Sequence, residues 1–162
     1  MRLTRLMAAF LGTGLFASGC GWSPPGAPPT ASATCTRTDG PTADVVAYET
    51  GQLPELPVGQ RWRQTVRGHT ADCRLHWVVV TSGDASDSPQ QVLFFDNNAS
   101  VGAPTPDPRP YITVIPTADD IATVQYQWRK GQDPACCPTG IATVRFTIEA
   151  GKLKALDPIP NP

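Results

Sequence analysis

Lysine is scarce in this chain of 162 residues, where it occurs only as Lys130, Lys152 and Lys154. The 13 basic residues face 14 acidic ones, and Arg2 and Arg5 precede an N-terminal apolar run. Without those two the balance is 11 against 14, a net charge of −3. Nucleic acids and anionic lipid headgroups select for basic patches, so this balance argues against both as partners. Catalytic signatures are missing as well. No Gly-x-Ser-x-Gly turn, phosphate loop or dinucleotide motif is present. A serine hydrolase needs a histidine base and an orienting acid beside its nucleophile, and the only histidines are His69 and His76. Asp119 and Asp120 are adjacent at a strand start and point to opposite sides, which suits a turn better than paired acid–base work. The sequence is therefore read as non-enzymatic, with no catalytic residues, no cofactor and no resident metal. The bias towards proline, glycine, alanine and threonine suggests a GC-rich genome.

What is present begins with an export signal. Arg2 and Arg5 lead into the apolar run Leu6 to Phe16 and then Ala17, Ser18 and Gly19. A positive start, a short apolar middle and a small-residue exit make up a signal peptide. The run is about 11 residues, against the ~20 that a spanning helix requires. The stretch Leu15-Phe16-Ala17-Ser18-Gly19-Cys20 resembles a bacterial lipobox, with Ala17 where that box prefers leucine. The resemblance implies cleavage before Cys20 and attachment of a diacylglyceryl group to it. Two acyl chains give stable anchoring where one gives only marginal binding. The alternative is a cleaved, unlipidated secreted protein.

With Cys20 assigned to lipid, Cys35, Cys73, Cys136 and Cys137 remain, an even number suited to an oxidising compartment. Four cysteines allow three pairings. Joining the neighbours Cys136 and Cys137 is disfavoured, because adjacent side chains diverge from preferred disulfide geometry. The expectation is that Cys35 and Cys73 each reach Cys136 or Cys137. A structural zinc site built from His69, Cys73 and the vicinal pair is the competitor. Adjacent cysteines lack the two-to-four-residue spacing usual for zinc ligands.

Three segments follow: 1–19 as lipoprotein signal peptide, 20–34 as lipidated cysteine and tether, and 35–162 as one extracytoplasmic domain. Residues 21–34, GWSPPGAPPTASAT, are proline-rich, small and uncharged, the composition of an extended spacer. Thr30, Ser32 and Thr34 could carry sugars, though a bare linker is the simpler reading. In the domain, Pro41 and Asp44 mark a helix start, Val45, Val46 and Tyr48 to Leu53 an apolar face, and Pro54 a stop. Strands are expected at Leu75 to Thr81, Gln91 to Phe95, near Ser100-Val101, at Tyr111 to Ile115 ended by Pro116, and at Lys152 to Leu156. The clearest are Ala122 to Trp128 and Ala142 to Ile148, where apolar and polar residues alternate with period two. The expected fold class is α+β: one N-terminal helix on a mostly antiparallel sheet of five or six strands, with two disulfides. The helix is expected to cover Val124, Tyr126, Trp128, Val144, Phe146 and Ile148. Thr123, Gln125, Gln127, Thr143, Arg145 and Thr147 form the wet face.

These residues carry a family resemblance. Cys73-x-Leu75-x-Trp77-Val78-Val79-Val80, Ser88-Pro89-Gln90-Gln91-Val92-Leu93-Phe94-Phe95, Val124-x-Tyr126-x-Trp128, Cys136-Cys137, Gly140, Thr143-Val144-Arg145-Phe146 and Asp157-Pro158-x-Pro160 stand in that order. Together they resemble the LppP/LprE lipoproteins of actinobacteria, mainly mycobacteria, over about residues 73 to 160. Ile148-Glu149 departs from the pattern, where an aromatic is expected. The resemblance implies a cell-envelope lipoprotein and brings no established activity or binding residues with it. Two functions fit: an interaction or envelope-structural module that docks another envelope protein, or a carrier of a small hydrophobic molecule, lipid or glycan. Arg145, in the middle of the wet face, is the candidate interaction residue, since arginine is enriched at interface hot spots; the alternative is a surface arginine paired with a neighbouring carboxylate.

Overall fold

The structure is a computed structural model that describes residues 35–36 and 39–161. The signal segment, Cys20 and the tether lie outside the described residues. Helix α1 (Ala43–Gly51) is followed by eight strands: β1 (Arg63–His69), β2 (Leu75–Thr81), β3 (Gln90–Asp96), β4 (Ala99–Gly102), β5 (Ile112–Ala118), β6 (Ile121–Trp128), β7 (Gly140–Glu149) and β8 (Lys152–Ala155). They form two four-stranded sheets, ordered β1-β2-β3-β4 and β5-β6-β7-β8, with every neighbour antiparallel. This corrects the α+β expectation. The domain is mostly β, and no single sheet of five or six strands lies under a helix.

The alternation of β6 and β7 holds, but the cover is different from the one expected. Ala122, Val124, Tyr126, Val144 and Phe146 pack against Leu75, Trp77, Val79, Val92 and Phe94 of the first sheet. The Phe94 and Phe146 rings meet with centroids 5.4 Å apart. Helix α1 instead covers the outer face of the first sheet, where Val46 packs with Val78, Val80, Leu93 and Phe95. Strand β2 is buried at all seven positions because it has the second sheet on one side and the helix region on the other. Its unbroken apolar run is the mark of a strand covered on both faces. Thr42 caps the helix by accepting from the Val45 amide, and its own amide donates to Asn98 in the β3–β4 turn. Each sheet seats a tryptophan indole over a glycine on the neighbouring strand, Trp77 over Gly68 and Trp128 over Gly140. A Cβ at either glycine would stand 2.3–2.5 Å from the ring.

Strand β1, RQTVRGH, was not expected as a strand. It is an edge strand whose residues are almost all exposed, so it carries no burial alternation. Strand β5 runs through Pro116 rather than stopping at it. It too is an edge strand, where proline's missing donor costs no ladder bond.

The disulfides also differ from expectation. Cys35 pairs with Cys73, with Cα atoms 5.5 Å apart, and Cys136 pairs with Cys137. Distance explains why the expected cross-pairing fails. Cys73 lies in the β1–β2 turn, where the Asp72 amide donates to Asp119 O in the β5–β6 turn. Cys136 and Cys137 follow the other end of β6, where Tyr111 and Ser86 donate to Ala135 O. The eight residues of β6 put those ends roughly 24 Å apart.

Tyr126 and Phe146 test the inter-sheet core in opposite senses. Phe146→Ala should cost about 3–5 kcal/mol in denaturant unfolding, through lost burial and a residual cavity. Tyr126 is 2 % exposed, and its hydroxyl has no hydrogen-bond partner among the described residues. Burial pushes its pKa up to about 12. Tyr126→Phe should therefore preserve stability or raise it by about 1 kcal/mol, because it removes an unsatisfied polar group. A loss of more than about 1 kcal/mol in Tyr126→Phe would point to a buried partner for that hydroxyl.

Candidate functional site

The outer face of the second sheet is open. Register places Thr113, Gln125 and Thr143 in one row and Ile115, Thr123 and Arg145 in the next. Thr113, Thr143 and Arg145 are exposed, Thr123 and Gln125 are half-buried, and Ile115 and Ile141 add exposed apolar groups. Threonine, isoleucine and glutamine side chains of similar height make a flat mixed surface, suited to water or to a docked partner. Thr117 Oγ1 donates to Thr123 Oγ1 across the strands, and Thr147 Oγ1 donates to Asp120.

Arg145 lies where the sequence placed it, on the outward side of β7, and it has a carboxylate partner. Its Nε and one terminal nitrogen reach the two Asp157 oxygens at 2.9 and 2.8 Å. Its backbone amide donates to the same carboxylate at 3.0 Å, and the Leu156 amide donates to Arg145 O. Three hydrogen bonds from one residue hold the Asp157 carboxyl down at about 2, the guanidinium contributing most, and the pair raises Arg145 in turn. The fork-to-fork geometry fixes the guanidinium plane and pins the segment after β8. The sequence reading allowed Arg145 a carboxylate partner and placed Asp157 within a motif, but it did not join the two, because twelve residues separate them.

A second constellation sits at the end of the β1–β2 hairpin. His69 and His76 are direct cross-strand partners, with ring centroids 5.6 Å apart. His76 is buried beneath Gly40, and its Nε2 donates to Cys73 O at 2.8 Å. Burial holds its pKa below the ordinary histidine value. His69 is exposed, with Nδ1 3.0 Å from Thr70 O and 3.2 Å from Cys35 Sγ. Cys73 adopts a left-handed backbone (φ 60°) in a turn closed by its amide on Thr70 O. Thr70 is wholly buried and holds the turn through the Leu75 amide and Asp72. His69 and Cys73 thus come together as the zinc competitor required. The vicinal pair stands at the other end of the domain, and Cys35 is the sulfur that joins them.

A groove of about 580 Å³ runs between α1 and β1. Its apolar lining includes Val46, Ala47, Leu53, Leu56 and Trp62, and Arg67 lies at its polar edge. No helix among the described residues is long and apolar enough to cross a membrane.

The Arg145–Asp157 pair yields a prediction with a defined order. Arg145→Ala leaves the residue 145 amide bonded to Asp157, whereas Asp157→Ala loses every contact, so Asp157→Ala should lower the Tm more. The pH sense follows from the depressed carboxyl. The pair's contribution is fully present above the ordinary aspartate range near 4 and is lost as pH falls through about 2. Wild type should therefore lose Tm between pH 4 and pH 2 by a component that Asp157→Asn lacks. Superimposable acid profiles would show that the pair does not contribute.

The family model for LppP/LprE lipoproteins matches residues 67–151, from late β1 to the β7–β8 turn. Proteins carrying the name lipoprotein LppP from Mycobacterium bovis and from two strains of Mycobacterium tuberculosis are 54% identical to the chain over 150 residues. That alignment covers 91% of this chain and 86% of theirs. No solved structure matches the chain. A match over more than half the sequence, together with identity of this extent across nearly all of it, shows that the chain belongs to the LppP/LprE lipoprotein family.

Proposed function

We propose that this protein is a non-enzymatic interaction module, held by lipid on Cys20 at the outer face of the cytoplasmic membrane. Its domain offers the open face of the second sheet to another envelope protein. The observation that carries this reading is the asymmetry of the sandwich. The first sheet's outer face is covered by α1. The second sheet's outer face keeps Thr113, Ile115, Thr143 and Arg145 exposed. Arg145 is pre-oriented by Asp157, so less rotamer entropy is lost when a partner engages the guanidinium edge. A net charge of −3 for the processed chain argues against anionic headgroups as the competing partner.

The groove beside α1 supports a second reading, a lipoprotein that holds a small hydrophobic molecule or glycan. Its apolar lining and volume of about 580 Å³ lie within the range of small-molecule sites.

Two measurements on the full chain test the first reading. Cys20→Ala should move the protein from the detergent phase to the aqueous phase, because the acyl chains supply nearly all of the membrane affinity. Arg145→Ala, with Thr143→Ala as a companion, should remove a specific partner from crosslinks formed in intact envelope and leave lipidation unchanged. An unchanged set of crosslinked partners eliminates this face. Native mass spectrometry of protein taken from envelope separates the two readings, since a co-purifying lipid or glycan lost on Trp62→Ala favours the groove.

A further inference from the structure

We propose that the end of the β1–β2 hairpin is a site for one Cu(I) ion, kept closed by the Cys35–Cys73 disulfide and opened when that bond is reduced. One donor atom each from Cys35, His69 and Cys73 lies within 4.8 Å of the other two. Metal–sulfur bonds of about 2.3 Å and metal–nitrogen bonds of about 2.0 Å require donors about 4 Å apart around a three-coordinate ion. In the disulfide form the sulfurs are bonded to each other and His69 Nδ1 is 3.2 Å from Cys35 Sγ, so after reduction the two thiolates have only to move apart to that spacing. His69 is fixed by pairing with His76, and Cys73 by its amide on Thr70 O and its carbonyl on His76 Nε2.

The donor set selects the ion. Two thiolates and one imidazole are soft to borderline ligands, which exclude magnesium and calcium and favour copper(I) or zinc. Zinc takes four ligands in structural sites. His76 does not supply a fourth, because its ring is buried beneath Gly40 with Nε2 engaged by Cys73 O, whereas exposed His69 can give up its hydrogen bond to Thr70 O and turn a ring nitrogen to the metal. Nearby carboxylates are committed elsewhere: Asp39 accepts from the Thr36 amide, and Asp72 contacts Thr70 and the Arg74 amide. Three donors suit Cu(I). The bis-thiolate complex carries a net charge of −1, and Arg67 lines the same cavity of about 570 Å³ with the opposite sign.

The chemistry balances in two steps. A dithiol reductant transfers two electrons and two protons to the disulfide. The Cys35–Cys73 bond breaks, two thiols form, and the reductant leaves as its own disulfide. Cu(I) then displaces both thiol protons to solvent and bonds to the two sulfurs and to His69, with no change in its oxidation state. Disulfide and metal are mutually exclusive, so the site reports the redox state of its surroundings.

The test uses the full chain in detergent carrying Cys136→Ser and Cys137→Ser, so that the vicinal pair cannot bind copper. After anaerobic reduction with a phosphine and its removal, Cu(I) is titrated against a chromophoric Cu(I) chelator. One ion per chain is expected, with two sulfur and one nitrogen neighbours in X-ray absorption, and none in the unreduced protein. His69→Ala leaves both sulfurs in place and should weaken binding by about 10–100-fold or more, the loss that even an outer-shell change produces. Cys73→Ser should abolish binding, with circular dichroism confirming that the sheets remain. Absence of a stoichiometric ion after reduction, or unchanged affinity in His69→Ala, would overturn the site. Tighter binding of Zn(II) than of Cu(I) would overturn the copper assignment.

Discussion

Burial of the two inner sheet faces against each other is the constraint from which the other features follow. Side chains on a strand alternate, so committing Trp77, Val79, Phe94, Val124, Tyr126, Val144 and Phe146 to the seam fixes which residues face outward. A slip of one residue in β7 would put Arg145 into the seam and Phe146 into water. The meander order within each sheet leaves each strand beside its chain neighbour in that sheet, so the seam joins the two sheets at long range in sequence.

The two outer faces solve the remaining exposure differently. In the first sheet the outward residues are Val78, Val80, Leu93 and Phe95, too apolar to leave wet, and α1 with Trp62 covers them. The helix has nine residues and only Val46 buried. A helix this short is marginal by itself, so it is held by its Thr42 cap and by packing rather than by propensity. In the second sheet the outward residues are mostly threonine, glutamine and arginine, which tolerate water, beside the exposed Ile115 and Ile141, and no helix or strand among the described residues covers them. The face proposed for docking is open because its composition allows it to be.

Much of this was legible, and the failures have specific causes. The alternation of β6 and β7 gave their faces correctly, since one side of each is buried and the other wet. It could not say whether a helix or a sheet lies over the buried side, because both present apolar atoms. The run Trp77-Val78-Val79-Val80 held the missing information. A strand without alternation is covered on both sides, and with one helix expected in the domain the second cover had to be a sheet. Strand β1 was illegible because an exposed edge strand has no burial pattern to read, and Gly68 further lowers its apparent propensity. The Arg145–Asp157 pair and the Cys35–His69–Cys73 corner were hidden for a common reason. Each is assembled by strand register, and spacing along the chain does not encode register between hairpins.

The disulfides carry unequal weight. Linking residues 38 apart removes enough loop entropy from the unfolded chain to stabilise by about 4 kcal/mol in the chain-entropy model, whereas linking neighbours removes almost none. The Cys35–Cys73 bond is therefore the staple that fastens the entry of the domain to the β1–β2 turn. The Cys136–Cys137 bond has no comparable stabilising role. Reduction of the first bond would normally cost the domain its staple. A metal bonded to both sulfurs closes the same 38-residue loop, and so restores the same restriction on the unfolded chain through a different bond. The fold can then pass between oxidised and metal-bound forms without losing the closure on which its N-terminal edge depends. His69, beside the sulfurs at the exposed end of β1, supplies the third donor that strengthens this metal-bound form.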